Sequence, residues 1–222
     1  MTRTELARLL DHSVLKPEST EHDIRSAADL VRALGIGFYC VQPYWVSLAA
    51  ETISGAGPIV VSVVGFPHGC DTGEVKARAA AIAVADGARE IDMVMNFGAL
   101  KSGRAAVVAG EIDAVVRAAE HLAVKVILET SALSDVEKEL ACHLACDAGA
   151  TFVKTSTGFH PSGGATVGDV RLMRDIVGPV IGVKASGGIR TVVDVRAMLN
   201  AGASRIGTSA SAAILERWES EP

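Results

Sequence analysis

The sequence predicts a single (β/α)8 barrel over residues 1–222 with a short N-terminal helix, and three observations carry that prediction. Short β-rich apolar runs alternate with longer Ala-rich amphipathic segments, the signature of parallel strands joined by crossover helices. Eight such runs can be found, which favours closure into a barrel. No Gly-x-Gly-x-x-Gly opens the first helix, so the doubly wound dinucleotide fold lacks its fingerprint. Hydrophobic residues make up 49% and aromatics only 4%, so Ala, Val, Ile and Leu must build the core, as in strands buried on both faces.

The strands are expected at Leu10–Leu15, Phe38–Gln42, Ile59–Gly65, Glu90–Met95, Val124–Thr130, Thr151–Ser156, Val180–Ala185 and Arg205–Thr208. The helices are expected at Glu21–Leu34, Thr72–Ala85, Arg104–His121, Asp135–Ala148, Val167–Ile176, Thr191–Asn200 and Ser209–Trp218. Ser19-Thr20 and Ser134 are N-cap candidates, with Glu137 close to the capping-box position. Asp86-Gly87-Ala88, Ala148-Gly149-Ala150 and Ala201-Gly202-Ala203 each close a helix just before a strand, where glycine takes the left-handed conformation cheaply. The segment His160–Thr166, with Pro161 and Gly163-Gly164, has the most flexible composition.

Composition also narrows function. A net charge of −5 gives no basic footprint for nucleic acid, so an anionic ligand would be held by local groups. The N-terminus has no apolar signal core, and no apolar run approaches the ~20 residues a membrane helix needs. Four scattered cysteines, Cys40, Cys70, Cys142 and Cys146, suggest reduced thiols in a cytoplasmic protein. Cys142-His143-x-x-Cys146 reads as helix packing, and no histidine pattern suggests a metal.

A barrel places its chemistry at the carboxyl ends of the strands. Lys154, in Thr-Phe-Val-Lys-Thr-Ser-Thr, and Lys184, in Ile-Gly-Val-Lys-Ala-Ser, sit inside apolar strands, a costly position unless the lysines are paired or used. Bringing a lysine from about 10.4 to about 7 requires ~4.6 kcal/mol of environmental bias. Burial and a second cation both supply it, and the neutral amine then attacks a carbonyl. Two strand lysines therefore suggest a nucleophile and a tuner, or two rim ion pairs. Asp92, an acid in the apolar strand Ile-Asp-Met-Val, reads as a proton relay, a lysine partner or a structural bridge. The turns at Ser186-Gly187-Gly188-Ile189 and Thr208-Ser209 are expected to expose backbone N–H groups at helix N-termini, a ready anion site. His68, Lys16, Lys125, Cys40 and Glu129 fall near expected strand ends, without separable roles.

Taken together, the runs Leu10-Asp11-His12-Ser13-Val14-Leu15-Lys16-Pro17, Tyr39-Cys40-Val41-Gln42-Pro43, Val64-Gly65-Phe66-Pro67-His68-Gly69, Glu90-Ile91-Asp92-Met93-Val94, Phe152-Val153-Lys154-Thr155-Ser156-Thr157-Gly158 and Gly182-Val183-Lys184-Ala185-Ser186-Gly187-Gly188-Ile189-Arg190 resemble the deoxyribose-phosphate aldolase family, in order and over most of the chain. The resemblance implies a class I aldolase that reversibly cleaves 2-deoxy-D-ribose 5-phosphate to D-glyceraldehyde 3-phosphate and acetaldehyde, without metal or organic cofactor. It implies Lys154 as the Schiff-base lysine, Lys184 as the lysine that lowers its pKa, and Asp92 as the proton-relay acid. It implies Gly187, Gly188 and Ser209 as the phosphate site, and a homodimer.

Three positions depart from some members. Gln42 stands where those carry tyrosine, Phe159-His160 replaces a phosphate-holding lysine, and the ending Arg217–Pro222 has no terminal tyrosine. Another phosphate-binding barrel enzyme, such as an isomerase or metal-dependent aldolase, and a silent phosphate-metabolite binder are the competing readings.

Overall fold

The computed structural model describes residues 1–55 and 57–219; of the chain's ending, Ser220, Glu221 and Pro222 lie outside them. Eight strands close a parallel barrel in sequence order: β1 (Leu10–Val14), β2 (Phe38–Val41), β3 (Ile59–Val64), β4 (Glu90–Val94), β5 (Ala123–Ile127), β6 (Phe152–Lys154), β7 (Gly182–Ser186) and β8 (Arg205–Thr208), with β8 pairing back to β1. The helices are α1 (Arg3–Leu9), α2 (Glu21–Leu34), α3 (Val46–Ile53), α4 (Gly73–Ala85), α5 (Phe97–Lys101), α6 (Ala105–Ala118), α7 (Asp135–Asp147), α8 (Val167–Val177), α9 (Val192–Asn200) and α10 (Ser211–Arg217). The expected barrel with its short leading helix is therefore present. No helix among the described residues is long and apolar enough to cross a membrane.

Local chemistry sets these boundaries. Thr2, Thr20, Ser134 and Thr191 each cap a helix through a reciprocal capping box, which satisfies backbone donors the helix cannot. Thr72 caps α4 and accepts from Val75 N–H. Gly87, Gly149 and Gly202 take φ of 110°, 85° and 108° between helix and strand. Two helices escaped the sequence reading: α3, short and close behind Pro43, and the one-turn α5 after Asn96. The fifth strand ends at Ile127 rather than Thr130, because Glu129 turns left-handed (φ 58°, ψ 60°) into a 3-10 turn. Helix α10 begins at Ser211, two residues later than expected.

The main apolar core lies between strands and helices, where Ile91, Met93, Val126, Val153 and Val183 pack outward from the barrel. A separate small apolar cluster of Leu15, Cys40, Val61 and Val63 fills one side of the interior. The other side is polar, where most barrels stack branched aliphatics. Two glycines make room for it. A Cβ on Gly182 would overlap the Phe152 ring at 2.1 Å, and one on Gly207 would come within 3.1 Å of Lys184 Cε.

A buried ion pair between two helices supports the strand ends. Lys76 on α4 donates to Glu111 on α6 at 2.8 Å and to Gly69 O at 2.8 Å, while Glu111 accepts Asn96 N–H at 2.5 Å. The pair ties the loop after β3 to the loop after β4. Glu111→Ala leaves a buried ammonium unpaired, so a loss of about 3 kcal/mol is expected in denaturant unfolding.

Candidate active site

Six strands, β1 and β4 to β8, deliver the titratable cluster. Parallel register sets Lys154 beside Lys184 and Asp92 beside Lys125, with the two pairs offset by two residues between β5 and β6. Asp92 is completely buried and is the hub. Its Oδ2 accepts from Lys154 Nζ at 2.7 Å and from Lys184 Nζ at 2.7 Å, and its Oδ1 accepts from Lys125 Nζ at 2.8 Å. Lys184 also donates to Asp11, and Lys125 reaches Glu90 at 2.5 Å. Arg205 donates to Glu90 at 3.1 Å and lies flat on the Phe38 ring at 3.2 Å.

The structure thus brings Lys154, Lys184 and Asp92 together and adds Lys125, whose role the sequence did not separate, and Asp11, which it did not single out. Lys125 is a mid-strand, wholly buried lysine rather than one near a strand end. Asp11 appeared only inside a motif run, yet it is buried beside Lys184, and its Oδ1 has no protein hydrogen-bond partner. The available signal was the one used for Asp92, an acid within an apolar strand.

Charge counting separates the two candidate lysines. The cluster holds four cations, Lys125, Lys154, Lys184 and Arg205, against three carboxylates, Asp11, Glu90 and Asp92. One positive charge is uncompensated. Lys125 and Lys184 each contact two carboxylates, and a guanidinium does not lose its proton. Lys154 contacts only Asp92, so it has the fewest carboxylate partners of the three lysines.

Burial opposes charge on Asp92, but the three ammonium groups overcome it and hold the carboxyl well below its ordinary range. Burial likewise opposes charge on Lys184, and Asp11 and Asp92 outweigh it, holding Lys184 as an ammonium above its ordinary range. Cys40, buried beside them, is pushed up to about 12 mainly by burial, so its thiol is not a nucleophile at neutral pH. The linkage signs are opposite. The depressed Asp92 contributes stability that is present above its unfolded value of about 3.9 and lost as pH falls through the folded one. The raised Lys184 contributes stability that is present below about 10.4 and lost as pH rises through its folded value. A thermal denaturation series should therefore be flat from about pH 6 to 9 for these groups and fall on both sides.

Above the cluster lies a cavity of about 640 Å³, lined by Lys154, Lys184, Gly187, Gly188, Arg190 and Ser209 among others. The expected anion turns are present, but one differs in construction. The Gly187-Gly188 turn, with φ of 90° and 81°, does not open directly into a helix. Helix α9 starts at Val192, and Asp194 closes its end by accepting Arg190 and Thr191 N–H at 2.9 Å. A carboxylate there disfavours an anion on the α9 axis, which leaves the turn itself and the end of α10, where no side-chain cap is made. His12, buried in the middle of β1, sits 3.1 Å from Ser211 of α10 through Nδ1, and burial lowers its pKa.

The loop from Phe159 to Thr166 is anchored despite its composition. Ala165 N–H donates to Gly187 O at 3.0 Å, and Gly164 packs on the Gly187 backbone so closely that a Cβ would lie 2.2 Å from Gly187 O. Phe159 packs edge-on against Phe66 at 5.2 Å. Gln42 donates to Leu15 O at 2.9 Å and ties the first loop to the second strand. Tyr39 is buried and donates to Ile24 O, while Tyr44 is 84% exposed, so neither tyrosine is offered to the lysine cluster. Cys142 packs in the main core.

A closed parallel barrel with a buried lysine–aspartate cluster under its carboxyl-end cavity defines the chain as a barrel of enzymatic type. It belongs to the DeoC/LacD family of aldolases, which matches residues 6–217. A deoxyribose-phosphate aldolase of Listeria innocua is 52% identical over 95% of this chain and 94% of its own length, and one of Halalkalibacterium halodurans is 50% identical over 97% of each. A solved structure of a tetrameric deoxyribose phosphate aldolase from Aeropyrum pernix is 32% identical in sequence, with a TM-score of 0.91 over 99% of this chain and 93% of that one.

Proposed function

We propose that the chain is a class I deoxyribose-phosphate aldolase that works through an imine on Lys154. The carrying observation is that one oxygen of the buried Asp92 accepts from both Lys154 and Lys184, and that both lysines line the cavity that also holds the Gly187-Gly188 turn and Ser209. The names of its relatives support the substrate, 2-deoxy-D-ribose 5-phosphate.

Each step uses groups in reach. Lys154, as the neutral amine, adds to C1 of the open-chain sugar, and loss of water gives the iminium. The proton on the C3 hydroxyl is removed, the C2–C3 bond breaks, and its electron pair moves into the iminium to give an enamine. D-Glyceraldehyde 3-phosphate leaves. The enamine takes a proton at C2, water hydrolyses the resulting iminium, and acetaldehyde leaves with Lys154 restored. Asp92 is the acid–base group, relaying protons through water, and the ammonium of Lys184 disfavours charge on Lys154. Gly187, Gly188 and Ser209 hold the phosphate, and this remote binding energy places C1 at Lys154. No step requires a metal or organic cofactor. The four free cysteines fit a reducing cytoplasm, and we read the chain as a homo-oligomer, for which a homodimer is the simplest form.

The test is acetaldehyde release from 2-deoxy-D-ribose 5-phosphate, followed by coupled reduction, with and without chelator. Equal turnover in both is expected; no release, or release lost to chelator, contradicts the proposal. Gly187→Ala would place a Cβ 3.0 Å from Gly164 Cα and 3.2 Å from Gly158 Cα at a positive φ. It should raise KM for the sugar phosphate about tenfold while leaving imine formation with acetaldehyde intact.

A further inference from the structure

The floor of the barrel is charged. Phe38, Glu90, Phe152 and Arg205 are the first residues of β2, β4, β6 and β8, and they meet in the interior as one layer drawn from alternate strands. The Arg205 guanidinium lies 3.2 Å from the centre of the Phe38 ring and 5.2 Å from that of Phe152, and it donates to Glu90 at 3.1 Å. Glu90 and Arg205 are only 7% and 8% exposed. Branched aliphatics would fill such a layer with no ions to desolvate, so packing alone does not account for the pair.

The strand period of two ties this floor to the chemistry above it. Two residues further along β4 and β6 stand Asp92 and Lys154. Lys125 bridges the two levels, reaching Glu90 at 2.5 Å and Asp92 at 2.8 Å. Asp92 in turn meets Lys154 at 2.7 Å. The result is an unbroken chain of alternating charge that runs from Arg205 through Glu90, Lys125 and Asp92 to Lys154. Arg205, Glu90 and Lys125 do not line the cavity above Lys154, so any effect they have on the reaction passes through other side chains.

Other ionisable groups near Lys154 do not offer the same control. Burial favours the neutral forms of Cys40 on β2 and His12 on β1. Glu129, which follows β5, is engaged by Thr157. On the cavity side, Lys16, Glu18, Asp23 and Arg190 are exposed, and water and salt screen them. Asp11 and Lys184 pair with each other and with Asp92 in the same buried level. The floor pair is buried, charged and linked to Lys154 by ions alone.

We infer that Glu90 and Arg205 are remote positioning residues for the nucleophile: through Lys125 and Asp92 they set how much positive charge surrounds Lys154, and hence the pH at which it becomes a neutral amine. This rests on the aldolase reading above. The two residues act with opposite sign. Without the Glu90 charge, Lys125 is balanced by Asp92 alone, and the added net positive charge disfavours an ammonium at Lys154. Without the Arg205 charge, the cluster loses a cation and the ammonium is favoured. A unit charge about 10 Å away, at an effective dielectric constant of about 20, moves such an equilibrium by about one pH unit.

The test is the pH dependence of acetaldehyde trapping on Lys154 by cyanoborohydride, read as initial rates from about pH 5 to 9 and localised by peptide mapping. Glu90→Gln should move the midpoint of the rise down by about one pH unit. Arg205→Met should move it up by about half a unit, being one ion further away. The double variant should return to within about 0.3 unit of the native midpoint. Glu90→Asp, which disturbs packing but keeps the charge, should leave the midpoint in place. Loosened packing would lower the melting temperature of all four variants without shifts of opposite sign. If Glu90→Gln does not fold, Arg205→Met and Glu90→Asp still decide the matter. The inference fails if the midpoint stays put in Arg205→Met, moves the same way in both charge-removing variants, does not return in the double variant, or moves in Glu90→Asp as far as in Glu90→Gln. If the native protein is never labelled at Lys154, it is the aldolase reading that falls.

Discussion

Lys154→Arg is expected to lower kcat/KM for 2-deoxy-D-ribose 5-phosphate by at least about 10⁴-fold while leaving the protein folded. Arginine keeps the positive charge beside Asp92, and its stem fills much of the space of the 3% exposed lysine. It cannot become a neutral amine, so it cannot form the imine. Lys154→Ala should give the same loss of rate, with a change in stability because the cluster loses one cation of four. The pair of variants separates nucleophile from counter-ion. If Lys154 only neutralised Asp92, arginine would restore much of the activity that alanine loses. Measured kcat/KM for both, with melting temperatures as the control on folding, decides between the two roles.

Asp92→Asn is expected to damage both activity and stability. The carboxylate is completely buried and takes hydrogen bonds from three ammonium groups. An amide cannot balance them, and its N–H₂ end is a donor facing donors. Breaking a buried pair costs about 3–5 kcal/mol, and here three cations share the loss, so unfolding at lower denaturant is expected. Because the proton relay is lost as well, kcat should fall by about 10²–10⁴-fold. The acid limb of the stability profile should become shallower, since the group with the depressed pKa is gone. A variant that melts early but turns over normally would make Asp92 purely structural.

Most of the barrel was legible because its signals are local. Alternating apolar runs, the Gly87, Gly149 and Gly202 junctions and the Thr20 and Ser134 caps all carry their physics within a few residues. Helices α3 and α5 were missed because eight and five residues are too few for a periodicity to show. The end of β5 was misplaced because the apolar run Val126–Leu128 continues past the last paired residue, and the turn depends on Glu129 finding Thr157 in the loop after β6. The site divides along the same line. Lys154, Lys184 and Asp92 stand out in their own strands, but Asp11 and Lys125 acquire meaning only when the barrel closes. Asp11 meets Lys184 across 173 positions of sequence. The α9 end shows the reverse case, since the capping box that bars it to an anion is written in Thr191 and Asp194.

Charge counting adds something the strand pattern could not. From sequence, either lysine could be the nucleophile, and the family resemblance chose Lys154. In the structure, Lys184 is held by two carboxylates and Lys154 by one, which is an independent reason for the same choice.

The most direct test is borohydride reduction in the presence of acetaldehyde, followed by peptide mapping. The account predicts one reduced two-carbon adduct per chain, on Lys154 in the peptide containing Phe-Val-Lys-Thr-Ser-Thr. An adduct on Lys184 or Lys125, or none at all in protein that cleaves the substrate, would contradict it.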